Sequence, residues 1–136
     1  MKTMMKVKNI TKDYGHQRGV FDLSFNVEAG EVMGFLGPNG AGKTTTIRTL
    51  MGFIQPDRGR VSIKGHDCFR NAAQIQKDVG YLPGEIAFMD DMDGMEFIKF
   101  IAAMKKMSNL RKAQELLDYF ELEPKGRIKK MSKGMK

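Results

Sequence analysis

The 136-residue sequence predicts an α/β fold, in which strands and helices are mixed through the first part of the chain and helices form the second part. Three observations lead to this prediction. Short runs of β-branched and aromatic residues recur through the first half of the chain. A glycine-rich segment at residues 37–44 separates one apolar run from a helical pattern. After residue 93 the apolar residues recur at helical spacing instead.

The elements of the first part follow from these patterns. Residues 7–10 and 20–27 are predicted to be strands, because apolar side chains alternate with a period near two in the second of them. Residues 32–36 form a short apolar run that is typical of a strand buried on both faces. Residues 45–52 are predicted to be a helix closed by Gly52. Two short strands and a weak helix complete this part, at residues 61–64, 79–82 and 71–78.

The second part has a helical pattern. Asp93 is a candidate N-cap for a helix that runs to about residue 107, and residues 110–122 repeat the pattern. We expect the apolar stripes of both helices to pack in a core. The predicted division is therefore residues 1–87 for the sheet elements and residues 88–136 for the helical subdomain.

Composition and charge narrow the class of protein. The chain is 41% hydrophobic and 29% charged, as ordinary globular domains are, and it contains one cysteine. Its net charge is +7, yet the last 13 residues hold six basic residues and no acid. Since no aromatic residue lies within this basic run to stack on a base, a nucleic-acid partner is not favoured. A secretory signal and an apolar run of about 18 residues are both missing from the sequence, which predicts a cytoplasmic location.

A phosphate-binding loop is the most specific feature of the sequence. Residues 37–44 match G-x-x-x-x-G-K-[ST], and with the apolar run before it and the helix after it this motif predicts a P-loop NTPase core. The helix that follows adds the partial positive charge of its N-terminus. Three glycines permit positive φ, which lets successive N–H groups turn toward an anion: Gly37, Gly40 and Gly42.

Three side chains of the loop have predicted contacts with a nucleoside triphosphate. Lys43 carries a full positive charge to the β- and γ-phosphates, and the site is centred on it. The Thr44 hydroxyl offers Mg²⁺ the oxygen ligand that this ion prefers. Thr45 is placed to donate toward the α-phosphate.

Residues 37–45 resemble the Walker A segment of the ATP-binding-cassette (ABC) family, and the resemblance extends from about residue 5 to residue 136. Gly80-Tyr81-Leu82-Pro83 resembles the entry to the family's Q-loop, and Ser132-Lys133-Gly134-Met135-Lys136 resembles a variant of its signature motif. In the residues of these two segments, the chain is most similar to the ATPase subunits of bacterial exporters of the ABC-2 type. The resemblance implies the fold of that family, a P-loop NTPase core with an incomplete, mostly parallel sheet, a small antiparallel β subdomain and an α-helical subdomain. It also implies that the cofactors are ATP and Mg²⁺. The implied ATP contacts are Tyr14, stacked on adenine, the loop residues Gly37, Asn39, Gly40, Ala41, Gly42, Lys43, Thr44 and Thr45, and the signature residues Ser132 and Gly134, which would meet the nucleotide of a second cassette.

The chain departs from the family pattern at two places. The Q-loop glutamine is not evident, since Gly84 occupies its place and Glu85 follows, so Glu85 is a candidate contact for the metal or the attacking water. No match to the family's Walker B strand, catalytic glutamate or switch histidine precedes residue 136. We therefore expect this chain to be the N-terminal portion of a longer ATPase, able to bind nucleotide but to hydrolyse it slowly or not at all by itself.

The resemblance implies the ATP-binding subunit of a membrane exporter. Its partners would be transmembrane permease subunits and a second ABC subunit, and it would lie at the inner face of the membrane. Two alternatives stay open within the family: a cytoplasmic ABC protein that acts on nucleic acid or ribosomes, and a module that binds nucleotide without turnover. Outside the family, a small kinase or GTPase remains, although the sequence has no Asn-Lys-x-Asp motif for reading guanine.

Overall fold

The computed structural model describes residues 2–85, 87–89 and 91–136. The chain divides into two compact units, Met1–Tyr81 and Leu82–Lys136, slightly earlier in the sequence than the predicted boundary after residue 87. The first unit contains β1 (Thr3–Asp13), β2 (Gly19–Glu28), α1 (Lys43–Leu50), β3 (Arg58–Ile63), β4 (His66–Asp67) and α2 (Ala72–Ile75). The second contains α3 (Gly94–Met104), α4 (Arg111–Tyr119) and a 3-10 turn at Ile128–Lys130.

The first unit is built on a four-stranded sheet with the order β2-β1-β3-β4. All of its pairings are antiparallel. One face of the sheet packs into the core, because alternate residues of β1 and β3 are apolar and point to the same side. The buried members of this core are Val7, Ile10, Val20, Val61, Ile63, Cys68 and Ile75. The predicted antiparallel β subdomain is thereby confirmed.

A bulge in the middle of β1 changes which residues face the core. Val7 and Ile10 are both buried although they are three positions apart, which an uninterrupted period of two would forbid. Between them Asn9 has a φ of 48°, and its side chain donates to Asp22 Oδ1 at 2.9 Å. Its backbone N–H donates to Ser24 Oγ at 2.8 Å. The bulge is therefore held by polar contacts with the neighbouring strand β2.

Two predicted strands are wrong for the residues that the structure describes. Residues 32–36 have no regular secondary structure, and Val32 and Leu36 are 98% and 93% exposed. Residues 79–82 are likewise irregular. A strand needs a hydrogen-bonded neighbour as well as an apolar sequence, and among the described residues no strand of the sheet pairs with residues 32–36.

The second unit confirms the predicted helical subdomain, and its first helix begins where the sequence indicates. The Asp93 carboxylate accepts from Glu96 N–H at 2.8 Å, and the Glu96 carboxylate accepts from Asp93 N–H at 2.9 Å. This capping box fixes the start of α3. The helix ends at Met104, earlier than predicted.

The apolar stripes of α3 and α4 are only partly covered. Ala102 is buried, whereas Met104 is 67% exposed and α4 contains no fully buried residue. The prediction that both stripes pack in a core is therefore wrong for part of each helix. The apolar spacing shows which side of each helix is apolar, but burial also needs a packing partner opposite that side.

Gly59 of β3 permits the close approach of β1 at the bulge. Its φ is +83°, and a Cβ at this position would lie 2.3 Å from the carbonyl oxygen of Asn9. We expect Gly59→Ala to lower the free energy of unfolding by about 1–3 kcal/mol more than the matched change Gly65→Ala. Gly65 has nearly the same φ, +80°, but open space around it, so alanine there costs only the backbone strain of about 1 kcal/mol. Urea unfolding followed by circular dichroism measures both, and equal losses would contradict this account.

Candidate nucleotide-binding site

The glycine-rich loop leads directly into α1, which begins at Lys43 and so lies two residues earlier than the helix predicted at residues 45–52. Gly42 is the N-cap residue in a left-handed conformation, with φ 89°, and Gly40 has φ 84°. Gly37 does not have positive φ, so that part of the prediction is wrong. Its lack of a side chain still matters, because a Cβ there would lie 3.2 Å from Ala41 Cβ.

Gly42 also holds the loop against the start of β2. A Cβ on Gly42 would lie 2.5 Å from Val20 Cγ2 and 2.6 Å from the carbonyl oxygen of Gly19. No larger residue fits this gap without displacing a buried side chain or the backbone. The N-terminus of α1 and the beginning of β2 are therefore in direct contact.

Lys43 crosses the loop from its far end. Its ammonium group donates a hydrogen bond to the carbonyl oxygen of Gly37, so that one lysine joins the last and first parts of the motif. Thr44, the candidate Mg²⁺ ligand, is exposed. Thr45, on which the α-phosphate prediction rests, is half-buried.

The buried face of α1 is polar, which the sequence did not indicate. Thr46 and Thr49 are fully buried, whereas Ile47 is exposed. Their hydroxyl groups donate to the carbonyl oxygens of Gly42 and Thr45, at 2.9 and 2.8 Å. Each buried hydroxyl is thus satisfied within the helix, so its burial costs little.

Tyr14 lies in the short loop between β1 and β2, and the residue is 53% exposed. The loop is closed by two backbone hydrogen bonds, from Arg18 N–H to the Gly15 carbonyl at 3.0 Å and from Tyr14 N–H to the Arg18 carbonyl at 2.8 Å. His16 and Gln17 between them both have positive φ. Tyr14 and Arg18 are therefore neighbours at the base of one tight turn.

Asp57 binds the C-terminal end of β1, which leads into the loop that carries Tyr14. Its carboxylate accepts from the backbone N–H of Asp13 at 2.9 Å and from Lys12 Nζ at 3.0 Å. The hydrogen bond from the Asp13 N–H, and to a smaller extent that from Lys12, hold the pKa of the Asp57 carboxyl below its ordinary value. The Lys12 ammonium lies 5.8 Å from the centre of the Tyr14 ring, within the range of a cation–π contact.

The phosphate loop and the loop that carries Tyr14 together line one cavity of about 290 Å³. Most of the predicted nucleotide contacts line it, and Arg18 and Gly19, which the sequence analysis did not single out, line it too. No acidic side chain is among the lining residues, so the cavity suits an anion. The lining consists of Tyr14, Arg18, Gly19, Asn39, Gly40, Gly42, Lys43, Thr44 and Thr45.

The predicted signature residues lie in the second unit. The backbone N–H groups of Met135 and Lys136 both donate to the Ser132 carbonyl, at 3.1 and 3.2 Å, as in the first turn of a helix. Gly134 lines a cavity of about 720 Å³ in that unit, and Glu85 lines the same cavity. The remaining lining residues are Leu82, Pro83, Gly84, Phe88, Lys133 and Lys136. Glu85 thus shares its surroundings with two lysines of the signature segment.

Within the part of the chain that the structure describes, no group of three or more histidine, cysteine or acidic residues could hold a metal ion. No helix in these residues is long and apolar enough to span a bilayer. The hydroxyl of Thr44 is an oxygen ligand at the start of α1, which fits Mg²⁺, since this ion commonly takes few protein ligands and completes its shell with phosphate oxygens and water.

The contact between Gly42 and β2 gives a testable requirement for the site. We expect Gly42→Ala to weaken the binding of tripolyphosphate at least tenfold, because the added methyl group must push the loop away from Val20. Gly40→Ala is the matched control, since Gly40 has nearly the same φ but open space around its Cα. Isothermal titration calorimetry measures both affinities. A loss for Gly40→Ala as large as that for Gly42→Ala would contradict the role given to the contact.

Comparison with known sequences places the chain in one family. A family model described as ABC transporter matches residues 20–136. The bacitracin transport ATP-binding protein BcrA of Bacillus licheniformis is 37% identical over 138 aligned positions, which cover 100% of this chain and 45% of that protein. The daunorubicin resistance ATP-binding protein DrrA3 of Streptomyces coeruleorubidus is 34% identical over 98% of this chain and 44% of that protein. The chain thus spans a little under half the length of these relatives.

Solved structures agree with the sequence relatives. The structure of an ATP-binding subunit of an ABC transporter matches with a TM-score of 0.86 and 28% identity, over 98% of this chain and 57% of that chain. A bacterial Atm1-family ABC exporter with ATP bound matches with a TM-score of 0.61 and 30% identity, over 68% of this chain and 17% of that chain. The family model matches residues 20–136 of this chain, and the phosphate loop leads into α1 as its motif predicts. The chain therefore belongs to the ABC transporter family.

Proposed function

We propose that this chain binds ATP with Mg²⁺ in the cavity between the phosphate loop and the Tyr14 loop, as the nucleotide-binding part of a transport ATPase. One observation carries the proposal: the cavity is lined both by an aromatic ring that can stack on a base and by a helix N-terminus with its lysine. A nucleoside triphosphate matches both features, because its flat base can stack on the ring and its phosphates form a polyanion that the helix N-terminus and the lysine attract. The related exporter structure with ATP bound supports the choice of nucleotide.

Different residues of the cavity are proposed to contact different parts of the nucleotide. Backbone N–H groups at the start of α1 and the partial positive charge of its N-terminus attract the phosphates. Lys43 adds a full charge beside them, and the exposed π-face of Tyr14 offers a stacking surface to adenine. Bound Mg²⁺, held through the Thr44 hydroxyl, would neutralise charge on the phosphates. Catalysis of phosphoryl transfer depends mostly on such positioning and charge neutralisation.

Ser132 and Gly134 are proposed to contact the nucleotide held by a second ABC subunit. The helical turn that Ser132 begins supports this role, since the N–H groups at the start of such a turn attract an anion. For Glu85 we propose a contact with the metal or the attacking water. The shared cavity of Glu85 and Gly134 is consistent with a place near the signature segment.

For the complete protein we propose that ATP binding and hydrolysis drive export through transmembrane permease subunits. The subunit would then lie in the cytoplasm, against the inner face of the membrane. The relatives in bacitracin transport and daunorubicin resistance support the exporter type. Binding would draw two cassettes together and hydrolysis would release them, because ATP favours the closed pair.

The role of Lys43 can be tested directly. We expect Lys43→Ala to weaken ATP binding at least tenfold, because the phosphates lose a charge-assisted contact worth about 1.5–3 kcal/mol. The control is Lys77→Ala, which removes an exposed lysine outside the cavity lining. Titration calorimetry in the presence of Mg²⁺ measures both. Equal ATP affinity in wild type and Lys43→Ala would reject the proposed site.

Turnover by these 136 residues is expected to be very slow. The sequence matches the nucleotide-binding half of the family pattern, and none of its segments matches the family's Walker B strand, catalytic glutamate or switch histidine. Phosphate release from ATP should therefore not exceed that of the Lys43→Ala variant, which sets the contamination background. Sustained release above that background, removed by Lys43→Ala, would show that other residues orient the attacking water.

A further inference from the structure

We propose that Arg18 is a second phosphate-binding cation of the nucleotide cavity and that its guanidinium contacts the α-phosphate of the bound nucleotide. The inference rests on the proposed function, since it concerns the same cavity. It adds a residue that belongs to neither the phosphate loop nor the signature segment, and it is carried by three observations.

The first observation is the place of Arg18 in the cavity. It lines the same space as Tyr14 and Thr45. The hydrogen bond from Tyr14 N–H to the Arg18 carbonyl, 2.8 Å long, keeps the aromatic ring and the guanidinium on the same turn. Arg18 therefore lies near the Tyr14 end of the cavity. If the base stacks on Tyr14 and the β- and γ-phosphates bind the phosphate loop, the phosphate nearest this end is the α-phosphate.

The second observation is the rigid connection from Arg18 to the anion-binding helix. Arg18 is followed by Gly19, whose carbonyl oxygen lies 2.6 Å from where a Cβ of Gly42 would stand. Gly42 is the N-cap of α1. The backbone of Arg18 is thus held at a fixed distance from the helix N-terminus, which reduces the entropy cost of using both in one site.

The third observation concerns charge. Lys43, which also lines the cavity, donates to the Gly37 carbonyl, and Lys12, beside the Tyr14 ring, pairs with Asp57. Among the described residues the Arg18 guanidinium has no ion-pair or hydrogen-bond partner, and no acid lines the cavity. An exposed guanidinium with its donors free matches phosphate oxygens in geometry and in charge.

The test compares three ligands on four proteins. ATP, ADP and tripolyphosphate are titrated into wild type, Arg18→Gln, Arg18→Lys and Arg70→Gln. Arg70→Gln is the matched control, because it removes the same charge from an exposed arginine that does not line the cavity. Circular dichroism and thermal unfolding verify that each variant is folded.

We expect Arg18→Gln to weaken all three ligands about tenfold, Arg18→Lys to lose less, and Arg70→Gln to stay within about twofold of wild type. A loss for ATP and ADP with unchanged tripolyphosphate would overturn the phosphate assignment, because Arg18 would then contact the nucleoside. Unchanged ATP affinity, or an equal loss in Arg70→Gln, would overturn it as well. Failure of the proposed function looks different, since wild type itself would then not bind ATP.

Discussion

The candidate site depends on a contact that contains no side chain from the phosphate loop. Gly42 lies against the Gly19 carbonyl and the Val20 side chain, and Val20 belongs to the buried core of the first unit. The N-terminus of α1 is therefore positioned by the sheet rather than by the loop alone. Because the same contact places the Tyr14 loop beside the phosphate loop, the cavity is assembled from two segments, residues 14–19 and 39–45, that are distant in the sequence.

Local signals in the sequence predicted much of the fold. The start of α1 follows from the glycines before Lys43, and the start of α3 follows from the cap at Asp93. Both features are set by residues within one turn, which is why sequence reasoning finds them. The apolar segment at residues 32–36 is different, because a strand is defined by its neighbours and none of the described residues pairs with it. Its apolar character indicated burial, and its partners could not be read from the segment itself.

The same distinction holds for the site. The motif predicted the phosphate-loop residues that line the cavity, since its spacing encodes a local backbone shape. Arg18 carried no such signal, because its place follows from the turn that pairs it with Tyr14 and from the distant contact between Gly19 and Gly42. The buried threonines of α1 were missed for a related reason. Threonine is ordinarily an exposed residue, and its burial is explained only by hydroxyl groups that bond back to the helix.

Those hydroxyl groups complete the restraint on Gly42. Its carbonyl oxygen accepts from both the N–H and the hydroxyl of Thr46, each at 2.9 Å, while its Cα lies against β2. The residue that begins the anion site is thus held by the helix on one side and by the sheet on the other. A helix N-terminus fixed in this way presents its N–H groups in one direction, so binding need not order them and their attraction for a polyanion is largely retained as affinity. The missing side chain and the positive φ of Gly42, which glycine adopts readily, thus allow the close contact that places the phosphate loop against β2.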